Sequence, residues 1–346
     1  MQVIQGIDYF YLFAVTFFIV GFLTPIMRKI AIRTEFIDHP TDSHKTHQTP
    51  IPYLGGVAII SGILIVSYGG LILNNRSEGD ISVASSLLIP ATFLGIIGLL
   101  DDRKSLPPLR RFVAQSIAGI FTAISLLATN SVGNPSGNHV IDLLITIVWV
   151  VGISNSINFF DNLDGGAAGA VAAISFGIFL IAHSNGQYFI AALSITNFGA
   201  MLGFLIWNKS PARIYMGDAG SLFLGTLVAV LVLRLDPEVE GKFTSFSIPL
   251  LLLAIPILDT SVAVLTRIIR RVSPFQGGRD HLSHRLIRRG FTKRQSAYAL
   301  WSLCTLYSGI AVIVATTTSD TKFFIGIAIA FWIALFTLFI KTADTE

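Results

Sequence analysis

Eleven stretches of about 20 mostly apolar residues run through this chain, and they leave it few folds to choose from. A stretch of that length crosses a hydrocarbon core of ~30 Å as one helix. The stretches cover 8–27, 55–73, 83–100, 112–129, 139–155, 166–183, 188–207, 219–235, 247–267, 296–316 and 322–340; the seventh and tenth carry more polar residues than the others. Over 346 residues the composition is 53% hydrophobic and only 13% charged, so no soluble domain is left over. The expectation is an all-α, polytopic integral membrane bundle of about eleven transmembrane helices, forming one domain over 1–346.

Lys and Arg set the orientation. One set of loops holds Arg28, Lys29, Arg33, Lys45, Arg103, Lys104, Arg110, Arg111, Lys209 and Arg213, and then the run from Arg267 to Arg294. The opposite loops hold only Arg76, Arg234, Lys242 and Lys322. The first set is therefore expected in the cytoplasm, with the N-terminus outside and the C-terminus inside. That places the loops after the third, fifth, seventh and ninth spans on one face, and those loops carry the acidic motifs.

A charge near hydrocarbon costs on the order of 2.5–3.5 kcal/mol on insertion scales, so carboxylates at span ends are functional candidates. Asp101-Asp102 closes the apolar run Leu94–Leu100. Acids are disfavoured at a helix C-terminus and have the wrong sign for a cytoplasmic flank. Asn155, Asn158, Asp161 and Asp164 recur at intervals of three, which on a helix gives one strip of oxygen ligands. Oxygens of this kind suit Mg²⁺ or Mn²⁺ better than zinc. Asn208 to Ser221 links two spans, with Asp218 placed to cap a helix or coordinate a cation and Tyr215 offering a flat ring. Gly277-Gly278-Arg279-Asp280-His281-Leu282-Ser283-His284-Arg285 follows the ninth span. No cysteine completes a zinc site there, and the histidines and arginines suit a diphosphate better. Lys45-Thr46-His47, ahead of the proline- and glycine-rich entry to the second span, could hold a phosphate. Asp259, inside the ninth span, is read equally well as structural or functional.

The net charge of +4 calls for no nucleic acid, since the cations sit where anionic headgroups and a phosphorylated substrate would meet them. Cys304, the only cysteine, is expected to be a packing residue. The first span lacks a basic leader and is expected to be retained. The sequon Asn75-Arg76-Ser77 falls on the outer side and is expected to be unused.

Taken in order, Asp101-Asp102, Asn155–Gly165, Asn208–Ser221 and His281–Arg285 resemble the motifs of the polyprenyl-phosphate N-acetylhexosamine-1-phosphate transferases, of glycosyltransferase family 4. The resemblance covers nearly the whole chain. It implies an enzyme at the plasma membrane, with a cytoplasmic active site, that joins a polyprenyl phosphate to the β-phosphorus of a UDP-sugar and releases UMP. Asp218 and Asn158 would hold Mg²⁺, with Mn²⁺ as a substitute. Asp101 would deprotonate or orient the lipid phosphate, with Asp102 beside it. Asp161 and Asp164 would line the nucleotide pocket and Tyr215 would stack on uracil. Lys45, Arg279, His281, His284 and Arg285 would neutralise phosphate, and His47, Asn155 and Asn208 would join the substrate contacts. A homodimer is left open.

Two departures matter. Asn162 and Gly166 interrupt the family's usual Asp-Gly-x-Asp-Gly-Leu. Leu282-Ser283 separates two histidines that are adjacent in the muramoyl enzymes. The expected sugar is therefore GlcNAc, ahead of another N-acetylhexosamine and of a muramoyl pentapeptide. The rival from another class is a secondary transporter, which would carry its acids near span centres.

Overall fold

The computed structural model describes residues 6–38, 50–128, 138–273, 278–317 and 320–341. Within them the chain forms α1 (Gly6–Arg33), β1 (Ile37–Asp38), β2 (Ile51–Pro52), α2 (Gly55–Leu73), α3 (Glu78–Lys104), α4 (Pro108–Ala128) and α5 (His139–Phe160). There follow α6 (Gly166–Ser184), α7 (Tyr188–Asn208), α8 (Gly217–Arg234), α9 (Lys242–Leu252), α10 (Ala254–Ile269), α11 (Leu282–Arg288), α12 (Lys293–Thr316) and α13 (Thr321–Lys341). The two strands pair antiparallel, Ile37 opposite Pro52. Among the described residues nine helices are long and apolar enough to cross a membrane, and the bent pair α9–α10 adds a tenth if it is one span. The protein is an all-α polytopic membrane protein. The fourth expected span coincides with α4, which stands outside those nine.

The expected ninth span, 247–267, is not one helix. α9 and α10 meet at Leu253 with a bend of 73°. Pro256 gives the reason: in a continuous helix its ring would press on the carbonyl of Leu252, and it offers no N–H to bond it. As the third residue of α10 it sits in a first turn, where that N–H is not needed.

The core is α8. Every residue from Ala219 to Val232 is buried, between α3, α5 and α2. α1, α4 and α13 lie outermost and expose Phe10, Phe18, Phe22, Phe112, Ile117, Phe323 and Ile333 to the surroundings. Between helices in lipid there is little hydrophobic driving force, so close backbone approach has to supply the packing. Gly98 does this where α3 crosses α8: a Cβ there would collide with the backbone of Asp218 and Ala219. Some buried hydroxyls are satisfied within their own helices, as Thr24 Oγ1 is by the Val20 carbonyl (2.6 Å) and Thr226 Oγ1 by that of Leu222 (2.8 Å).

This crossing generates a prediction. Gly98→Ala forces α3 away from the first turn of α8, at a cost of about 1–3 kcal/mol, the usual penalty for overpacking. Its unfolding midpoint in detergent should fall. Gly309→Ala, where nothing lies within 4 Å of the added carbon, should not lower it. Equal midpoints for the two variants would mean that α3 and α8 part freely.

Candidate active site

The C-terminal ends of α3, α5 and α7 meet the N-terminal end of α8, and the acidic motifs meet with them. The last turn of α3 splits its two acids between different tasks. Asp102 accepts from the backbone N–H groups of Asp218 (2.9 Å) and Ala219 (3.1 Å), so it caps α8 from across the bundle. An anion is favoured there by the unpaired amides and by the helix dipole. Tyr53 steadies the same turn by donating its hydroxyl to the Asp102 carbonyl at 2.8 Å. Gly217 is required at this junction: its φ is +68°, and a Cβ would stand 2.5 Å from Asp102 Oδ2.

Asp101 points elsewhere. One of its oxygens accepts from the Leu106 amide, and Oδ2 pairs with Arg111 Nη1 at 2.9 Å. The other terminal nitrogen of Arg111 lies 3.2 Å from Asp218 Oδ2 and 3.4 Å from Asn158 Oδ1. Asn158 in turn donates from Nδ2 to Asp218 Oδ1 and to Ser221 Oγ, each at 2.8 Å. Two carboxylates and a carboxamide, from three helices, thus converge on one guanidinium. Among the described residues no three His, Cys, Asp or Glu side chains form a ready cage for a metal ion.

The expected strip from Asn155 to Asp164 is shorter than its spacing suggests. α5 ends at Phe160, with Asp161 as its C-cap. Asp164 lies in the turn beyond, ahead of Gly165 at φ +72°. Asn155 faces α4, exchanging hydrogen bonds with Gln115 at 2.7 and 3.2 Å, away from the acids. Asp161 remains by the cluster: desolvation pushes its carboxyl well above the ordinary range, and Asp218, Asp102 and Asp164 add to the rise. Asp164 organises the α7–α8 loop by accepting from the Ala212 amide and the Tyr215 hydroxyl, both at 3.2 Å. Burial and Asp164 hold the Tyr215 phenol above its usual range. Asn208 is buried and donates to the Ile214 carbonyl at 2.9 Å, so it shapes this loop without meeting the acids.

The segment around α11 forms a second, buried cluster. His281 Nδ1 lies 2.7 Å from Asp259 Oδ2, and the other oxygen of Asp259 accepts from the Leu282 amide at 2.7 Å. Arg267 reaches His281 Nε2 at 3.4 Å and Asp280 at 3.0 Å. Arg285 is buried, with its guanidinium bonded to the Asp280 carbonyl (2.8 Å), Thr266 Oγ1 (2.7 Å) and the Phe339 carbonyl (2.5 Å). In this arrangement Arg285 ties α11 to α10 and α13. Arg279 lends its carbonyl to Arg288 at 3.1 Å. Burial holds the His284 imidazole down at about 4, helped by His281, so at neutral pH it can exchange a hydrogen bond but brings no positive charge. Contacts join the cluster to the end of α5 and the turn beyond it: Ser283 donates to Asn162 Oδ1, the rings of Phe159 and His281 lie 5.7 Å apart, and the Arg267 guanidinium lies over Phe159 at 6.0 Å. Lys45 and His47 lie outside the described residues.

Sequence reasoning passed over Arg111, Gln115, Ser221 and Arg267 as site residues. Arg111 carried no signal of its own, because it is one of many Lys and Arg residues already explained by the charge asymmetry of the loops.

The low value at His284 sets a pH dependence. The ordinary histidine value is 6.5 and the folded one about 4, so between them the unfolded chain binds more protons than the native one. The stability from a neutral His284 is complete above about pH 6.5 and is lost as pH falls towards 4. Thermal midpoints measured across that window should decline less steeply in His284→Gln than in the parent. Parallel curves would place the titration elsewhere.

Comparison with known proteins gives the family. Residues 84–236 match the model described as glycosyl transferase family 4. A probable undecaprenyl-phosphate N-acetylglucosaminyl 1-phosphate transferase of Bacillus subtilis (strain 168) is 31% identical, over 95% of this chain and 87% of that protein. A decaprenyl-phosphate N-acetylglucosaminephosphotransferase of Mycobacterium leprae is 29% identical, over 86% and 80%. A phospho-N-acetylmuramoyl-pentapeptide-transferase of Streptococcus agalactiae is 32% identical, but over only 56% and 62%. With a relative above 30% identity aligned along almost its entire length, the chain belongs to glycosyl transferase family 4.

Proposed function

We propose that this chain transfers N-acetylglucosamine 1-phosphate from a UDP-sugar to a polyprenyl phosphate, at the cytoplasmic end of an eleven-span bundle in the plasma membrane. The whole of 1–346 is read as one transferase unit, with its N-terminus outside and its C-terminus inside. The carrying observation is the convergence of Asp101, Asn158 and Asp218 on a single positive group at the end of the bundle. Relatives that align over most of their length are named for transfer to undecaprenyl or decaprenyl phosphate. The acids argue against a transporter, since Asp101, Asp161, Asp164 and Asp218 lie at helix ends or just beyond them.

In the reaction an oxygen of the lipid phosphate bonds to the β-phosphorus of the UDP-sugar. The bond from that phosphorus to the bridging oxygen breaks, and UMP leaves with the electron pair. Both reactants are anionic, so positioning and charge neutralisation are the main demands. The oxygens of Asp218 and Asn158 fit Mg²⁺, with Mn²⁺ as its near substitute; bound there, the ion would offset charge on the diphosphate. Asp101 is read as the group that takes the proton of the lipid phosphate or orients it. Asp102, with both oxygens on the amides of α8, is read as the residue that positions Asp218. Arg285 and Asp259 are read in the same way, as supports for the loop that carries His281. Asp161, Asp164 and Tyr215 form the nucleotide side.

The test is a screen of UDP-sugars with undecaprenyl phosphate and purified enzyme, scored by UMP release. UDP-GlcNAc should be the best donor, and Asp218→Asn should nearly abolish release while leaving the protein inserted and folded. Release that survives in Asp218→Asn at limiting Mg²⁺ would defeat the metal assignment. A higher kcat/KM with another UDP-N-acetylhexosamine would replace the sugar.

Tyr215→Ala should raise KM for the UDP-sugar more than it lowers kcat, because stacking on uracil is remote from the reacting phosphorus and is worth roughly 1–3 kcal/mol. A fall in kcat alone would remove Tyr215 from the base pocket.

A further inference from the structure

Arg111 occupies an unusual place. Its guanidinium, 27% exposed, meets Asp101 Oδ2 from α3, Asp218 Oδ2 from α8 and Asn158 Oδ1 from α5, at 2.9, 3.2 and 3.4 Å. These oxygens include one from each residue assigned above to a divalent cation. The arrangement is built rather than incidental. One turn further along α4, Gln115 is buried and exchanges two hydrogen bonds with Asn155, one turn before Asn158 on α5. Arg111–Asn158 and Gln115–Asn155 are therefore two rungs between the same pair of helices, and the inner rung fixes how far the outer one reaches. Asn158 is committed too: its amide nitrogen is held by Asp218 and Ser221, which leaves its oxygen towards Arg111.

We propose that Arg111 is the resident counter-cation of this site, holding Asp101, Asn158 and Asp218 together until a divalent cation takes the oxygens of Asn158 and Asp218. The inference rests on the reading that Asp218 and Asn158 bind such a cation. Two carboxylates this close repel one another unless a positive charge lies between them. The guanidinium supplies that charge before the ion arrives, and its forked donors suit several oxygens at once. Cation and guanidinium cannot hold the same oxygens together, so each weakens the other. Arg111 is a positioning residue in this scheme, and its removal should bare the site for the ion while loosening the fold that lacks it.

Mn²⁺ provides the probe, its free concentration read by electron paramagnetic resonance over purified protein without substrate. Arg111→Gln should bind Mn²⁺ at least about tenfold more tightly than the parent. Arg111→Lys, whose single ammonium cannot span three oxygens, should fall between them. Without metal, Arg111→Gln should melt below the parent and regain more of its midpoint than the parent when Mn²⁺ is added. Asp218→Asn should lose binding. If Asp218→Asn loses binding while Arg111→Gln binds Mn²⁺ no more tightly than the parent, the exchange is overturned and the metal reading stands. If Asp218→Asn binds as the parent does, the metal reading fails instead. Should Arg111→Gln not fold, Arg111→Lys decides: tighter binding supports the exchange, and equal or weaker binding overturns it.

Discussion

The carboxylate of Asp102 on the first amides of α8 is the interaction on which the rest of the site depends. It joins the last turn of one helix to the first turn of another, where each has polar groups that its own ladder cannot satisfy. Because Asp102 belongs to α3 and receives the Asp218 amide, it sets the distance between Asp101 and Asp218. The glycines at this crossing allow the approach, and Tyr53 holds the capping turn from the β2–α2 side. An acid that looks superfluous beside its neighbour is the one that makes the neighbour's position definite.

The same economy runs through the polar residues of the bundle interior. A buried polar group costs several kcal/mol unless it is paired, and here most site residues are paired with backbone or with each other. Asp164 holds the α7–α8 loop, Asn208 shapes it from within, and Asp259 holds the start of α11. Arg285 and His281, which as sequence look suited to a diphosphate, are buried and bonded within the protein. Asp161 stands apart: burial, with Asp218, Asp102 and Asp164 nearby, raises its carboxyl well above the ordinary range.

Much of this was legible in the residues. Apolar run lengths gave the helical bundle, and acids at run ends pointed to one polar site, which the folded chain assembles from α3, α5, α8 and the loop before α8. Three matters were hidden, each for a physical reason. The spacing of three from Asn155 to Asp164 reads as a helical face, but the helix stops at Phe160, where Asn162 bonds back to the Phe159 carbonyl and Gly165 takes a left-handed turn. Arg111 could not be told from Arg110, because the register of α4 against α5 is a tertiary fact. Asp259 read equally as structure or function because its partner, His281, lies 22 residues further on, beyond the end of α10.

That bend also answers a problem of length. From Lys242 to Ile269 the chain has 28 residues, and a straight helix of that size would measure about 42 Å at 1.5 Å per residue, against a hydrocarbon core of ~30 Å. Folding the rod at Leu253 shortens its reach along the bundle. It also turns a stretch that would otherwise overshoot into a shelf, on which Asp259 and Arg267 meet His281 beside the end of α5. The stretch expected as one straight span thus becomes, for its second half, a sidewall of the polar site.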